Sequence, residues 1–186
     1  MDRPLPASSL LLIVDVQDRL AAAMPKEMLD RLVKNTLLLL ETAKLTGVRV
    51  LASEQYPKGL GPTLAPIADK LREIGAPPPM DKVDFDACSD LRIARALAGA
   101  APRAVVVVGM EAHVCVFQTA RELVRRGHET YVVADAVCSR TMDNRGAGLA
   151  LCREAGAFVT VAEAVAFDWV GRAGTDVFKA VSKLVK

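Results

Sequence analysis

Three residues with reactive side chains, Asp15, Lys82 and Cys115, each lie at or just after the predicted end of a β-strand. Asp15 directly follows the apolar run Leu10–Val14. A carboxylate beside buried aliphatic side chains loses hydration, which raises its pKa unless a cation or hydrogen-bond donors compensate. Asp15 is therefore a candidate for chemistry, and the alternative is that it only caps the following turn.

Cys115 follows the apolar run Ala104–Gly109 and a short loop, at the predicted start of a helix. A helix N-terminus carries roughly half a positive charge and unpaired N–H groups, which stabilise a thiolate and can hold an oxyanion. The alternative for any cysteine is a buried, inert small side chain. That alternative is our expectation for Cys88, Cys138 and Cys152.

Lys82 stands in the sequence Met80-Asp81-Lys82, at the predicted end of the third strand. If its side chain points into the same crevice as the other two residues, its charge holds Asp15 ionised and lowers the pKa of the thiol. The alternative is an ordinary surface lysine. The sequence alone leaves its direction open.

A metal or nucleotide site is not expected. The chain has 2 histidines, and neither belongs to an Asp-x-His or His-Glu-x-x-His pattern. His113 precedes Cys115 by two residues, a spacing at which side chains seldom face each other. No Gly-x-Gly-x-x-Gly follows the first strand and no Walker-type loop occurs. We therefore expect no metal and no cofactor.

The reactive residues need elements to position them, and apolar patterning predicts these elements. Five short runs are nearly continuously apolar, as is typical of strands covered on both faces, and a sixth short strand is predicted around Met80–Val83. The five runs are Leu10–Val14, Val48–Ala52, Ala104–Gly109, Thr130–Ala134 and Ala157–Val161. Amphipathic spacing predicts helices over Lys26–Thr46, Thr63–Ile74, Cys88–Ala98, Cys115–Arg126, Arg145–Ala155 and a C-terminal pair from Glu163 to Lys186.

This alternation predicts an α/β fold of three layers, doubly wound, with a mostly parallel six-stranded sheet and helices on both faces. Ligands of such sheets bind beyond the carboxyl ends of the strands, beside the point where the strand order reverses. Asp15, Lys82 and Cys115 all fall at such strand ends. The segments just after these strands are therefore the ones to examine for a site.

Composition limits the partners. The chain of 186 residues is most simply one domain, residues 1–186, and its 24 Lys+Arg against 22 Asp+Glu give a net charge of +2. So small a charge, without a basic patch, argues against nucleic acid. No apolar run approaches the ~18 residues that a membrane-spanning helix needs. The 4 cysteines form no Cys-x-x-Cys pair, so we expect a reducing, cytoplasmic setting.

Together these residues resemble the isochorismatase-like cysteine hydrolase family, from about Ser9 to Ala166. The resemblance rests on Val14-Asp15-Val16-Gln17, on the lysine after the third strand, and on the run from Gly109 to Cys115. The segments from Glu54 to Gly61 and from Asp135 to Arg140 resemble the branch that contains animal isochorismatase domain-containing proteins and bacterial hydrolases of unassigned substrate.

The resemblance implies a catalytic triad of Asp15, Lys82 and Cys115. In such a family the aspartate takes the thiol proton and later protonates the leaving group, the lysine orients the aspartate, and the thiolate forms a covalent intermediate. The resemblance also implies a cis peptide bond between Met110 and Glu111. The N–H groups of Glu111 and Cys115 would then form an oxyanion hole.

The same resemblance suggests what surrounds the nucleophile. Nicotinamidases of the family carry an Asp-x-His metal stretch where this chain has Glu54-Gln55-Tyr56, which argues against both a metal and nicotinamide. The residues predicted to line the pocket are Gln17, Gln55, Phe85 and Arg140, the last as a bidentate partner for a carboxylate. For Gln55 and Phe85 the alternative is a packing role. A homo-oligomer, a dimer or larger, is also expected.

Our first functional hypothesis is a metal-independent hydrolase of a small amide, imide or related C–N compound, which uses Cys115 as its nucleophile. The second is a catalytically silent scaffold of the same fold that binds a small molecule or partner. A third, a redox-sensing flavodoxin-like protein, is weaker because no resolving cysteine lies near Cys115 in the sequence.

Overall fold

A computed structural model describes residues 3–185 of the chain. Its strands form one sheet of six strands over these residues, all parallel, in the order β3-β2-β1-β4-β5-β6. They are Ser9–Val14 (β1), Arg49–Gln55 (β2), Met80–Lys82 (β3), Ala104–Met110 (β4), Glu129–Cys138 (β5) and Phe158–Thr160 (β6). The predicted α/β class and six-stranded sheet are confirmed.

The central strands β1 and β4 are buried along their whole length. Alternate residues of β1 enter two separate apolar clusters, with Leu11 and Ile13 on one face and Leu10 and Leu12 on the other. Burial on both faces explains why the run is continuously apolar. β5 extends beyond the predicted strand because its register against β4 shifts near Gly109, which lets pairing continue to Cys138.

Helices cover both faces of the sheet, as predicted. The helices are Asp18–Ala21 (α1), Lys26–Thr46 (α2), Pro57–Leu60 (α3), Ala65–Glu73 (α4), Leu91–Ala100 (α5), Phe117–Arg125 (α6), Met142–Glu154 (α7), Ala162–Val170 (α8) and Asp176–Leu184 (α9). One apolar cluster joins the sheet to α2, α4, α8 and α9, and the other joins it to α5, α6 and α7. The last residue of the predicted C-terminal pair, Lys186, lies outside the described residues.

The chain leaves β1 for a helix on one face and leaves β4 for a helix on the other face, although these strands are neighbours. The loops after the two strands therefore diverge at their carboxyl ends, which is the position of the ligand crevice in sheets of this kind. None of the helices within residues 3–185 combines the length and apolar character needed to cross a membrane.

Candidate active site

Asp15 is the first residue after β1, and the backbone turns sharply there. Its φ of 52° lies in the left-handed region, which aspartate tolerates better than most residues. Its N–H donates to the carbonyl oxygen of Ser53 at 3.1 Å, and its side chain is fully buried. The strand end therefore fixes a carboxylate inside the crevice.

Lys82, the last residue of β3, points into the crevice and pairs with this carboxylate. Its Nζ lies 2.7 Å from Asp15 Oδ2, and both side chains are 0% exposed. Nζ also donates to Gln55 Oε1 at 2.7 Å and to the carbonyl oxygens of Asp84 and Phe85 at 3.1 and 3.2 Å. An ammonium has three protons, so these acceptors engage all of them. Such saturation is what a buried ion pair needs to be tolerated.

Ser53 belongs to the same cluster, although no role was predicted for it from the sequence. The Ser53 hydroxyl donates to Asp15 Oδ1 at 2.7 Å, so that both carboxylate oxygens have a donor. Ser53 pairs with Val14 in the β1–β2 register, which places it beside Asp15. A hydroxyl at the carboxyl end of the apolar run Val50–Ala52 was the available signal.

Cys115 lies in a π-helical turn over Ala112–Val116, which precedes α6, instead of at the α-helical start that the sequence predicted. The carbonyl of Glu111 accepts the N–H groups of Val114 and Val116 at 3.0 and 3.2 Å, but within the described chain it does not accept the N–H of Cys115 between them. Such turns occur at functional sites. In this turn, the N–H of Cys115 therefore does not form the hydrogen bond to the Glu111 carbonyl that an α-helix would have.

The thiol of Cys115 is held protonated, which differs from the lowered pKa expected from Lys82 and the helix N-terminus. Burial first, and then the negative charge of Asp15, raise the pKa of Cys115 to about 12. A hydrogen bond to Asp15 adds to this rise, and the charge of Lys82 offsets only part of it. The charge of Lys82 acts in the expected direction, but burial and the charge of Asp15 outweigh it. Burial therefore favours the neutral thiol of Cys115.

The backbone before Cys115 is closely supported. Gly109 has a φ of 125°, and a Cβ there would overlap the carbonyl oxygen of Val14, so only glycine lets β4 approach β1 so closely. The peptide bond between Met110 and Glu111 is cis, as the resemblance implies. A Cβ on Gly148 of α7 would lie 2.6 Å from the N atom of His113, so α7 presses directly on the turn.

Residues after β5 complete this support. The Ser139 hydroxyl accepts the N–H of Ala112 at 3.1 Å and lies 3.1 Å from His113 Nδ1. Glu111 Oε2 accepts the backbone N–H and the Nε of Arg140 at 3.0 and 3.1 Å. The Glu111 side chain is 9% exposed, whereas that of Arg140 is 58% exposed. Glu111 therefore holds one edge of a guanidinium whose remainder faces solvent.

The residues predicted to line the pocket divide into two pairs. Gln17 is buried and bonds to the backbone, since its amide donates to the carbonyls of Gln55 and Gly61 and accepts the N–H of Gln55. The Gln55 side chain accepts from Lys82 and donates to the Val83 carbonyl at 2.7 Å. Both glutamine amides are thus engaged within the protein. The Phe85 residue, by contrast, is 52% exposed.

Over residues 3–185, no group of three or more His, Cys, Asp or Glu side chains is arranged to hold a metal ion. The arrangement of Asp15, Lys82 and Cys115 can supply a base, a fixed positive charge and a sulfur nucleophile at one point.

Comparison with known proteins places this geometry in context. The isochorismatase domain family matches residues 9–164. The chain is 34% identical to the secreted isochorismatase effector Isc1 of Phytophthora sojae, over all of this chain and 88% of that protein. It is also 34% identical to isochorismatase domain-containing protein 2 of Bos taurus, over all of this chain and 87% of that protein.

Solved structures show the same fold. The MAR1 ribonuclease of Caenorhabditis elegans has a TM-score of 0.88 and 33% identity, over 99% of this chain and 92% of that chain. The YcaC gene product of Escherichia coli, described as an octameric hydrolase of unknown specificity, has a TM-score of 0.86 and 20% identity, over 96% of this chain and 86% of that chain. The chain belongs to the isochorismatase domain family and has its hydrolase fold.

Proposed function

We propose that the protein is a metal-independent cysteine hydrolase of a small amide, imide or related C–N compound. The observation that carries the proposal is the convergence of Asp15, Lys82 and Cys115, which come from three separate strand ends. A buried acid–lysine pair is costly to maintain, and functional sites are where such pairs with a perturbed neighbouring pKa concentrate.

In the proposed first step, Asp15 accepts the thiol proton while the sulfur of Cys115 attacks the substrate carbonyl carbon. A C–S bond forms, and the carbonyl π pair moves onto oxygen. The N–H groups of Glu111 and Cys115 stabilise this oxyanion. The π-helical turn supports this role, because the N–H of Cys115 is not bonded to the carbonyl of Glu111.

In the second step the C–N bond breaks, and Asp15 returns its proton to the leaving nitrogen, which gives a thioester. Asp15 then takes a proton from water as its oxygen attacks the thioester, and the acid leaves as Cys115 is reprotonated. Lys82 acts through its charge alone, since its three protons are already engaged. This is why we assign the acid and base roles to Asp15.

We assign substrate contact to Phe85 and Arg140. Both side chains are half-exposed, and Arg140 is anchored at Nε by Glu111, which lies close enough to Cys115 to affect its pKa. The free edge of the guanidinium suits a substrate carboxylate. Gln17 and Gln55 take positioning roles in this proposal, because their amides are engaged within the protein.

We also propose a homo-oligomer. Large apolar side chains are exposed at Tyr56 and Val83, directly after β2 and β3, and at Leu91, the first residue of α5. Tyr56 and Val83 follow residues that pair with each other in the sheet, and exposed apolar patches are typical of a surface that another molecule covers. Sedimentation velocity tests this, and a monomer at micromolar concentration would contradict it. The cytoplasmic location stays a prediction, and the relative in Phytophthora sojae is named as secreted.

A panel of small amides, imides and ureides with ammonia detection tests the proposed reaction. We expect ammonia release from at least one compound bearing a carboxylate, and none from the Cys115→Ala or Asp15→Asn variants. Release that persists in Cys115→Ala would reject the nucleophile. An RNA oligonucleotide in the same panel checks the activity named for the MAR1 protein of Caenorhabditis elegans.

One observation favours a catalytically silent scaffold. The pKa of Cys115 is raised to about 12, the same value as for Cys88 and Cys138. A scaffold predicts that all of these thiols react with iodoacetamide equally slowly. A hydrolase predicts that Cys115 reacts fastest, because Asp15 removes its proton as the sulfur attacks.

A further inference from the structure

The carboxylate of Asp15 has a second partner besides Lys82. Ser53 bonds to Asp15 twice, since its carbonyl accepts the Asp15 N–H at 3.1 Å and its hydroxyl donates to Oδ1 at 2.7 Å. Ser53 is 1% exposed, so bulk water does not compete for these bonds. The lysine and the serine therefore occupy one carboxylate oxygen each.

These two donors act differently on the carboxylate. Lys82 contributes a charge, whereas the hydroxyl of Ser53 contributes a directed hydrogen bond that exists in full only while Asp15 is ionised. The thiol of Cys115 also forms a hydrogen bond to Asp15, and Glu111 lies near enough to Cys115 to act on the pKa of that thiol. The hydroxyl of Ser53 is bonded to Asp15 Oδ1, whereas Lys82 is bonded to Oδ2.

We propose that Ser53 is a positioning residue that keeps Asp15 ionised and aligned to take the proton of Cys115. The inference rests on the proposed function, in which Asp15 is the base. Without the hydroxyl, Oδ1 loses a donor that favours the charged carboxylate, and its orientation is fixed on one side only. Asp15 then takes up a proton from solvent at higher pH and stops acting as a base there.

The pH dependence of Cys115 alkylation measures this directly, without a known substrate. Iodoacetamide forms a C–S bond with Cys115 as iodide leaves, and the thiol proton passes to Asp15. The rate, followed by mass spectrometry of the Cys115 peptide, falls at low pH as Asp15 becomes protonated. In Ser53→Ala we expect this acidic limb to move up by roughly one to two pH units, as the loss of a hydrogen bond to a charged group predicts.

Two controls separate the hydroxyl from packing. Threonine and valine side chains have nearly the same shape, but only threonine keeps a hydroxyl. We therefore expect Ser53→Thr to keep the acidic limb of the wild-type pH profile and Ser53→Val to shift it. Ser9→Ala removes a buried serine at the other end of β1, where the hydroxyl donates to the Leu5 carbonyl at 2.7 Å. That variant should keep the wild-type limb.

The outcomes distinguish this inference from the proposed function. If Asp15→Asn abolishes the acidic limb but Ser53→Ala and Ser53→Val keep the wild-type limb, the role of Ser53 is wrong and the role of Asp15 stands. If the threonine and valine variants shift equally, the hydroxyl is not the cause and the inference fails. If Asp15→Asn keeps the wild-type profile, Asp15 is not the base, and both proposals fall.

Discussion

Cys88 and Cys115 have similar chemical neighbours but stand in different parts of the fold. Each thiol is buried, and the pKa of each is raised to about 12, first by burial and then by a neighbouring carboxylate, with a cation that partly offsets the rise. For Cys88 the carboxylate is Asp86 and the cation is Arg126. A list of residue types, or a pKa alone, would treat the two cysteines as equals.

Their surroundings differ in what the charged groups do. Asp86 caps its own turn, where it accepts the N–H of Cys88 at 2.8 Å and the hydroxyl of Ser89 at 2.9 Å. The Arg126 side chain is 35% exposed and pairs with Glu122. Around Cys115 the acid and the lysine are fully buried and come from two different strands. Burial of a satisfied ion pair at a strand end, rather than the presence of charges, distinguishes the candidate nucleophile.

Removing each thiol in turn is the strongest test of this difference. In Cys115→Ala we expect hydrolysis to fall by at least about 10³-fold, because the covalent step loses its nucleophile. Cys88→Ala is the matched control, since it removes a thiol of similar burial and pKa, and it should keep the wild-type rate. Equal losses in the two variants, measured by ammonia release, would mean that Cys115 acts only through packing.

Removing each cation gives the next largest contrast. Lys82→Met leaves the carboxylate of Asp15 buried without its counter-charge, and we expect the free energy of unfolding in urea to fall by about 3–5 kcal/mol. Arg126→Met breaks a partly exposed pair with Glu122, which should cost about 1 kcal/mol or less. The buried pair also predicts that Asp15→Asn destabilises the protein, since Lys82 then loses its counter-charge. Comparable losses for Lys82→Met and Arg126→Met would show that water reaches the first pair.

The backbone under Cys115 gives a smaller effect. In Gly148→Ala the new methyl group would lie 2.6 Å from the N atom of His113, and we expect overpacking to cost about 1–3 kcal/mol and to slow hydrolysis. Gly146→Ala on the same helix meets nothing within 4 Å and should stabilise by about 0.5–1 kcal/mol. Thermal unfolding and ammonia release check both. A neutral Gly148→Ala would show that α7 does not hold the turn.

The sequence predicted the sheet and the three converging residues, but it did not predict what those residues contact. Continuous apolar runs identify strands buried on both faces, and parallel strand ends share one edge, which places Asp15, Lys82 and Cys115 along that edge. The direction of the Lys82 side chain stayed open, and the triad itself was predicted from the family resemblance. The π-helical turn could not be predicted from apolar periodicity. It is only five residues long and interrupts the helical spacing of apolar residues over that short stretch alone.

Hydrogen-bond partners were the other part that the sequence could not supply. Gln17 and Gln55 lie at the predicted crevice, yet their amides bond within the protein. A long side chain has several possible partners within reach, and the sequence does not say which of them it bonds to. Ser53 was missed for the same reason. The raised pKa of Cys115 depends first on how deeply the thiol is buried and then on the balance between Asp15 and Lys82, and only the three-dimensional structure gives both.

Stability at alkaline pH gives the smallest effect and tests the protonation state of Cys115. The folded pKa of about 12 exceeds the ordinary value of 9.0, so between these values the unfolded chain binds fewer protons than the folded one, and stability falls as pH rises. At pH 10 this loss is about 1 kcal/mol for each such thiol. Urea unfolding under reducing conditions measures how much the free energy of unfolding falls between pH 8 and pH 10. Cys115→Ala and Cys88→Ala should each make this fall smaller by that amount. If only Cys88→Ala makes the fall smaller, Cys115 is already ionised in the folded protein. The nucleophile would then be a preformed thiolate beside Lys82, and not a neutral thiol that Asp15 deprotonates.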